Sequence, residues 1–295
     1  MILEKVKSIT GHNGAIYDVI SQDDIFAYTT SADKHVARWN LKLGVQDKFA
    51  VRLQESGFRI ALNTKSNLLA IGNAKGGIHV VDLNTNTEKR LLTQHQKAIF
   101  ALTYDEISNV FYSADADGYF CVWDGETFDL KLTLPFNCGK IRQISINETG
   151  SHIAICGQDG VVRVLETGFY NEVHSLIAHK LGANCAVFKG DILYTGGKDA
   201  YITVWKWRDE TKINSIPAHN YAVYDLILLN ENQNLVSVSF DKSIKLWESD
   251  SLQIGQRVEF KDGGHRHVVN RLAKISDLSF LSVSDDKQII EWRLK

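Results

Sequence analysis

Proline, methionine and cysteine are scarce in this chain of 295 residues, which has two, one and four of them respectively. The cysteines show no CxxC or CxxH spacing, so they indicate neither a disulfide framework nor a zinc site and fit thiols in a reducing compartment. The chain also lacks a large excess of positive or negative charge. Its net charge is −2, so it has no overall basic field of the kind that nucleic-acid binding needs. No apolar run approaches the roughly 18 residues of a membrane span, and the opening segment is too short and charged for a signal peptide. These absences favour a cytoplasmic protein that binds neither nucleic acid nor membranes.

What the chain does have is an internal repeat. In five copies an Asp is followed six residues later by a Trp, and two degenerate copies fill the gaps. The first position of each copy holds Asp33, Lys75, Asp117, Asp159, Asp199, Asp241 and Asp286. The last position holds Trp39, Val81, Trp123, Leu165, Trp205, Trp247 and Trp292. Successive copies lie 40 to 45 residues apart, which indicates seven units of one repeated structure.

Each copy also contains four short runs of the alternation that is typical of strands. In the third copy these runs are AIFALTY, VFYSAD, YFCVWD and LKLTLPF. Four short strands in each repeat of this length are the sequence form of a β-propeller blade. The sequence therefore predicts an all-β fold, a seven-bladed β-propeller with four-stranded antiparallel blades.

A dipeptide that ends in His precedes the first strand of five copies, and with it the whole chain resembles the WD-repeat (WD40) family. The resemblance implies a hydrogen-bonded tetrad of four side chains in each of these blades. Asp accepts a hydrogen bond from His, His bonds to a Ser or Thr hydroxyl, and that hydroxyl accepts the indole N–H of Trp. The implied tetrads are His12, Thr29, Asp33, Trp39; His95, Ser113, Asp117, Trp123; His179, Thr195, Asp199, Trp205; His219, Ser237, Asp241, Trp247; and His265, Ser282, Asp286, Trp292.

The second and fourth copies have lost the tetrad as a set. Ile71 and Ile155 occupy the hydroxyl position, as expected if a partly satisfied polar network is worse than none. Asp159 remains in the fourth copy without its usual partners, so we expect it to contact water or a cation.

The seventh copy is one strand short at its C-terminal end. Residues 2–9 resemble the outer strands of the other copies, so we expect them to complete the last blade and close the ring, which removes an open sheet edge. This predicts a single propeller domain over residues 1–295, with no additional domain or catalytic insertion.

The resemblance further implies a ligand-binding face that carries the loops before strand one and after strand two. One set of positions on this face holds Tyr17, Arg59, Phe100, Arg142, Asn184, Tyr224 and Asn270. A second set holds Ala32, Ala74, Ala116, Gln158, Lys198, Phe240 and Asp285. The residues predicted to bind a partner are Tyr17, Arg59, Phe100, Arg142, Asn184, Lys198, Tyr224 and Phe240.

Arg and aromatic side chains dominate interface energetics, and the small alanines leave room for an extended chain. The hypothesis is a non-enzymatic scaffold that binds a peptide or protein segment, with an acidic or phosphorylated residue held by Arg59 and Arg142. Lys75, Lys140 and Lys198 lie in the same predicted sector. In the alternative interpretation these are ordinary rim residues, and Arg59 or Arg142 pairs with Asp159 or another carboxylate.

Two other functions stay open. A propeller enzyme would use the central channel, where Asp18 and Asp225 are interpreted as solvated residues, too few for an active site. A structural subunit of a larger assembly would expose an apolar patch of outer residues, for which the candidates are Phe49, Phe128, Phe136 and Phe169. The HRH triplet at residues 265–267 is interpreted as a turn. No catalytic residue, metal or cofactor is predicted, and the chain is expected to be monomeric.

Overall fold

A computed structural model describes residues 1 to 295, and its strands form seven separate four-stranded antiparallel sheets. The sequence prediction of a seven-bladed β-propeller is thereby confirmed. The only helical segments are two single turns of 3₁₀ helix, Trp207–Asp209 and Phe260–Asp262, and neither is long or apolar enough to cross a membrane.

The strands are numbered in chain order, and the blades are numbered one to seven. Strand β1 is Leu3–Thr10, and blade one consists of β2 (Ile16–Ser21), β3 (Phe26–Ser31), β4 (His35–Asn40) and β5 (Val45–Arg52). Blade two consists of β6 (Gly57–Asn63), β7 (Leu68–Asn73), β8 (Ile78–Asp82) and β9 (Thr87–Leu92). Blade three consists of β10 (Ile99–Asp105), β11 (Val110–Asp115), β12 (Tyr119–Asp124) and β13 (Leu130–Pro135). Blade four consists of β14 (Ile141–Ile146), β15 (His152–Gly157), β16 (Val161–Glu166) and β17 (Glu172–Ile177).

The remaining three blades follow the same order. Blade five consists of β18 (Ala183–Lys189), β19 (Ile192–Gly197), β20 (Tyr201–Lys206) and β21 (Thr211–Pro217). Blade six consists of β22 (Val223–Leu229), β23 (Asn234–Ser239), β24 (Ile244–Glu248) and β25 (Ile254–Val258). Blade seven consists of β26 (Val269–Ser276), β27 (Ser279–Ser284), β28 (Gln288–Leu294) and the N-terminal strand β1.

Burial falls from the second strand of a blade to the fourth. In blade two all six residues of β7 are buried, whereas only Leu92 is buried in β9. A strand that is covered on both faces reads as a continuous apolar run, and an edge strand can carry charge. This explains why the second strands are apolar while fourth strands such as TEKRLL are polar.

Strand β1 completes the seventh sheet. It pairs antiparallel with β28 from Leu3 opposite Leu294 to Thr10 opposite Gln288. The backbones of Ile2 and Lys295 also exchange two N–H···O bonds of 2.9 Å. The prediction that an N-terminal segment supplies the missing outer strand is therefore confirmed, with the strand at residues 3–10.

Contacts within the chain define two compact units. The first unit comprises Met1–Ile60 and His219–Lys295, which hold blades one, six and seven and the start of blade two. The second unit comprises Ala61–Ala218, which holds the rest of blade two and blades three to five. Apolar cores fill the space between neighbouring blades inside each unit. The single domain over residues 1–295 stays a prediction.

Of the four phenylalanines that are candidates for an exposed outer patch, two are buried and one is half-buried. Phe128 adopts a positive φ of 58° in its turn and stacks on Phe111 with ring centroids 4.7 Å apart. Phe49 is also buried, and Phe136 is half-buried against the core of blade three. Only Phe169 is exposed, at 85% of its surface.

Candidate functional site

Hydrogen-bonded tetrads join the turn after the second strand to the third strand of a blade. In blade one, His12 Nδ1 lies 2.9 Å from Asp33 Oδ2, and His12 Nε2 lies 2.8 Å from Thr29 Oγ1. The indole of Trp39 donates to the same Thr29 hydroxyl at 2.6 Å. The same three contacts occur in two further blades, formed by His219, Ser237, Asp241 and Trp247 and by His265, Ser282, Asp286 and Trp292. These three predicted tetrads are confirmed.

Burial decides the protonation of two of these histidines. Burial lowers the pKa of His12, although the hydrogen bond to Asp33 acts in the opposite direction. The pKa of His219 is lowered for the same reason, against the opposing effect of Asp241. Folding therefore favours the neutral imidazole at these positions, and protonation on acidification opposes the folded state.

In blade three the acidic member of the tetrad is Asp115, and the prediction of Asp117 is wrong. His95 Nδ1 lies 2.8 Å from Asp115 Oδ2, and Asp117 is exposed. Asp115 Oδ1 also accepts the backbone N–H of Asp117 at 2.9 Å and of Tyr119 at 3.1 Å, which holds the turn in place. The other two contacts, from His95 and Trp123 to Ser113, are as predicted, both at 2.7 Å.

The turn of Asp115 has a counterpart in blade two. Asp115 is followed three residues later by Gly118, whose φ is +86°, and in blade two Asn73 is followed in the same way by Gly76, with φ of +94°. Asn73 likewise accepts two backbone N–H groups of its turn.

Burial lowers the pKa of His95, but its hydrogen bonds to Asp115 and the neighbouring Cys121 outweigh this effect and raise the pKa to about 9.

The fifth tetrad is incomplete. His179 contacts Asp199 and Thr195, each at 3.0 Å. The Thr195 hydroxyl is also 3.2 Å from the carbonyl of Thr203, and the buried indole N–H of Trp205 has no hydrogen-bond partner. The prediction of a bond from Trp205 to Thr195 is therefore wrong.

The two blades without a tetrad share a different polar chain. Asp159 forms a two-contact ion pair with Arg163, the shorter contact being 2.6 Å, and Arg163 Nε lies 3.7 Å from Glu172. In blade two a similar chain consists of Asn73, His79 and Glu88, in contact at 3.2 and 3.0 Å, although Asn73 lies two residues before the repeat position of Asp159. The expected cation beside Asp159 is therefore Arg163 of the same blade, and neither Arg59 nor Arg142 fills that role.

The first unit holds four of the predicted binding residues. Arg59 Nη1 donates to the carbonyls of Tyr17 at 3.3 Å and of Phe58 at 2.8 Å, and the rings of Tyr17 and Phe58 meet edge to face at 5.2 Å. The ring centroids of Tyr224 and Phe240 lie 6.2 Å apart, and those of Tyr221 and Phe240 lie 5.8 Å apart.

Tyr221 extends this aromatic group and was missed by the sequence analysis. Tyr221 is 61% exposed and Phe240 46% exposed. The predictive signal was the position of Tyr221, two residues after the tetrad His219.

The second unit places two cationic side chains over the ring of Phe100, and the charge of a third, Lys198, acts on one of them. Lys140 Nζ lies 3.9 Å from the centroid of the Phe100 ring, and Arg142 Cζ lies 5.7 Å from it. The pKa of Lys140 is lowered by burial first, and then by the positive charges of Arg142 and Lys198. No carboxylate is among the charges that shift it. We call Phe100, Lys140, Arg142 and Lys198 the basic cluster.

Asn184 belongs to the same unit but offers little surface, because it is only 6% exposed. Gln158 is exposed, and its Oε1 accepts the backbone N–H of Lys140 at 3.2 Å.

Comparison with known proteins agrees with this geometry. The family model described as "WD domain, G-beta repeat" matches residues 3–40, 86–124 and 210–248. Each matched segment ends at or just after the Trp of a blade that carries a hydrogen-bonded tetrad. In these three segments the chain is similar to WD-repeat proteins. WD-repeat propellers are typically protein-interaction scaffolds.

Among the WD-repeat relatives, the chain is 23% identical over 235 residues to WD repeat-containing protein 55 of Arabidopsis thaliana. This alignment covers 78% of the chain and 66% of the relative. The chain is 26% identical over 206 residues to nuclear distribution protein nudF of Emericella nidulans, covering 61% and 46% of the two chains. Against WD repeat-containing protein 55 of Rattus norvegicus the identity is 20%, with 92% and 72% covered. The chain thus spans from under half to about seven tenths of these relatives.

Three charged residues meet where the first strands of blades one, six and seven lie side by side. Arg271 lies 3.5 Å from Asp18 and 3.2 Å from Asp225, and all three are buried. Each aspartate also accepts two backbone N–H groups, one of them from the neighbouring blade: Ile60 for Asp18 and Leu272 for Asp225, at 2.9 and 3.0 Å. Burial raises the pKa of Asp18 against the opposing charges of Arg59 and Arg271. The interpretation of Asp18 and Asp225 as solvated channel residues is therefore wrong.

Proposed function

We propose that this chain is a non-enzymatic scaffold that binds an acidic or phosphorylated segment of a protein partner. The segment lies on the face that carries the loops before strand one and after strand two. The observation that carries the proposal is the basic cluster, in which Lys140 and Arg142 lie over Phe100 and the charge of Lys198 acts on Lys140.

Charge supports a negatively charged ligand at this place. Like charges at short range raise each other's free energy, and the lowered pKa of Lys140 reports this repulsion together with burial. An anionic group placed among the three side chains removes the repulsion and gains charge-assisted hydrogen bonds. Carboxylates and phosphates both fit a guanidinium, and a phosphate offers three acceptor oxygens and up to two charges.

Phe100 supports a peptide as the carrier of that charge. Lys140 and Arg142 lie 3.9 and 5.7 Å from the centroid of its ring, within the range of cation–π attraction. The ring is half-buried, so it still offers apolar surface next to the charges. A peptide supplies both an anionic side chain and neighbouring apolar groups, as interface hot spots require.

Arg59 stays in the proposed face, but it is a poor residue to vary first. Its guanidinium donates to two backbone carbonyls, so its replacement also disturbs the local fold. Tyr17, Tyr224 and Phe240 are proposed as further contacts in the first unit.

The non-enzymatic character and the cytoplasmic location remain part of the proposal. The engagement of Asp18 and Asp225 with Arg271 and backbone N–H groups supports a structural role for the acidic residues of the first strands. A protein partner, without nucleic acid or membrane, fits the small net charge of −2.

Affinity capture from lysate followed by mass spectrometry tests the proposal. We expect the variant Lys140→Ala/Arg142→Ala to lose partners that the wild type retains, while the control Lys206→Ala keeps them, because Lys206 lies at the other end of β20. Loss of the partners after phosphatase treatment of the lysate identifies a phosphate, and their retention identifies a carboxylate. Capture of the same partners by the double variant and the wild type contradicts the proposal.

A further inference from the structure

The opposite end of the second unit carries an apolar pair that the proposed function does not use. Phe169, in the turn between β16 and β17, is 85% exposed, and Ile107, in the turn between β10 and β11, is 65% exposed. Both turns lie at the sheet end away from the basic cluster, because antiparallel strands place alternate turns at opposite ends.

Gly150, which is buried, contacts the turns of both residues. A Cβ at Gly150 would stand only 3.0 Å from Ile107 Cβ. The hydroxyl of Thr167, two residues before Phe169, donates to the carbonyl of Gly150 at 2.7 Å. We call the exposed side chains of Ile107 and Phe169 the base patch.

The exposed ring of Phe169 stands on a rigid turn. The carboxylate of Glu166 accepts the backbone N–H groups of Gly168 at 2.7 Å and of Phe169 and Asn171 at 3.0 Å. The next residue, Tyr170, has a positive φ of 62° and packs inward against Phe120 and Tyr112. A side chain on a fixed backbone loses less entropy on binding, so Phe169 is preorganised as an anchor.

The neighbouring blade shows that the fold does not require an aromatic residue here. In blade three the inward position is taken by Phe128, also at positive φ and buried, and the residue before it is Thr127, which is exposed. Thr127 corresponds to Phe169. Tyr170 already makes the packing contacts, so the ring of Phe169 adds apolar surface without adding to the core.

Acidic residues surround the base patch. The turns at residues 105–109, 124–129, 147–151 and 166–171 contain seven Asp or Glu residues and neither Lys nor Arg. Three of the seven, Glu106, Asp124 and Asp129, have a Lys or Arg partner. The side-chain carboxylates of Glu126, Glu148 and Glu166 accept uncharged N–H donors, and Lys89 Nζ donates to the backbone carbonyl of Glu126 at 3.3 Å.

We propose that the base patch docks a basic amphipathic segment of a protein partner, whose apolar side chains cover Phe169 and Ile107 and whose Lys or Arg side chains meet the acidic turns. Charge complementarity selects this occupant, because an acidic segment is repelled and a purely basic one leaves the apolar pair uncovered. The scaffold then binds segments of opposite charge at its two ends.

Titration calorimetry with synthetic 14-residue peptides tests this surface. The probes are an amphipathic Leu/Lys peptide, its Leu/Glu counterpart and a Ser/Lys counterpart. We expect the Leu/Lys peptide to bind the wild type at least about tenfold more tightly than either counterpart. We expect Phe169→Ser to weaken that binding at least about tenfold, and the matched control Thr127→Ser to change it less than about twofold.

Each alternative gives a distinct result. Equal binding of the Ser/Lys peptide, or equal binding by Phe169→Ser and the wild type, overturns the proposal. Self-association of the wild type in sedimentation that Phe169→Ser abolishes also overturns it, in favour of a second copy of the chain. An unchanged urea midpoint for Phe169→Ser shows that the variant is folded, as expected for an exposed side chain.

Discussion

Deletion of residues 1–10 is expected to destabilise the whole chain, although this segment lies at a terminus. The deletion removes β1 and exposes the edge of β28. It also removes the buried side chains of Leu3 and Ile9, which are 4% and 1% exposed. Burial of a Leu or Ile side chain contributes about 1.5–3 kcal/mol, so the two together contribute about 3–6 kcal/mol. Backbone hydrogen bonds to β28 add little, because the entropy of ordering the strand offsets them.

A loss of this size is large beside the 5–15 kcal/mol typical of folded proteins. Urea unfolding followed by tryptophan fluorescence measures it, and we expect a clear drop in the midpoint concentration. Two point variants grade the effect if the truncated chain fails to fold. Ile9→Ala is expected to cost about 2–5 kcal/mol, and Val6→Ala, at an exposed position of the same strand, less than about 0.5 kcal/mol. Equal midpoints for the truncated and full chains, or for the two variants, refute the reasoning.

Three further predictions concern the polar networks and use the same unfolding assay. Asp115→Ala is expected to cost about 1–3 kcal/mol because it leaves a buried histidine partner unsatisfied, and Asp117→Ala less than about 0.5 kcal/mol; equal costs contradict the assignment of the blade-three tetrad. Arg271→Met is expected to cost about 3–5 kcal/mol, since it removes the cation that contacts both buried carboxylates; a neutral effect contradicts that role. Trp247→Phe loses a hydrogen bond and is expected to cost about 1 kcal/mol more than Trp205→Phe, whose indole N–H has no partner; the reverse order contradicts the incomplete tetrad.

The blades and most of the tetrads were predictable because their signals are local and repeated. The six-residue spacing places the Asp of a tetrad in the turn before the third strand and its Trp in that strand. This one spacing rule therefore applies to several blades. The rule failed at Asp117 because Asp115, two residues earlier, also reaches His95. The rule could not predict that the indole N–H of Trp205 lacks a hydrogen bond, because the orientation of the Thr195 hydroxyl does not follow from the spacing of residues.

Contacts between blades were harder to predict from the sequence. Asp18, Asp225 and Arg271 each lie six residues after a tetrad histidine, so opposite charges in one repeat position were a usable signal for the buried ion pairs. Exposure was harder to predict. Phe128 and Phe169 occur in equivalent turns, and only the position relative to the residue with positive φ decides which ring is buried.

The basic cluster followed only in part from the sequence. Arg142, Phe100 and Lys198 occupied predicted face positions, whereas the place of Lys140 directly over the ring depends on the turn between β13 and β14. The joint action of Arg59 and Arg142 on one ligand stays a prediction.

Photocrosslinking from Gln158 tests the proposed binding face most directly. Gln158 is exposed and contacts the backbone of Lys140, so a photoreactive residue at this position stands beside the basic cluster. We expect it to crosslink the partner that the double variant Lys140→Ala/Arg142→Ala fails to capture, and we expect no such crosslink from Thr127 at the opposite end of the unit. A crosslink of that partner from Thr127, or none from Gln158 while the partner is bound, contradicts the account.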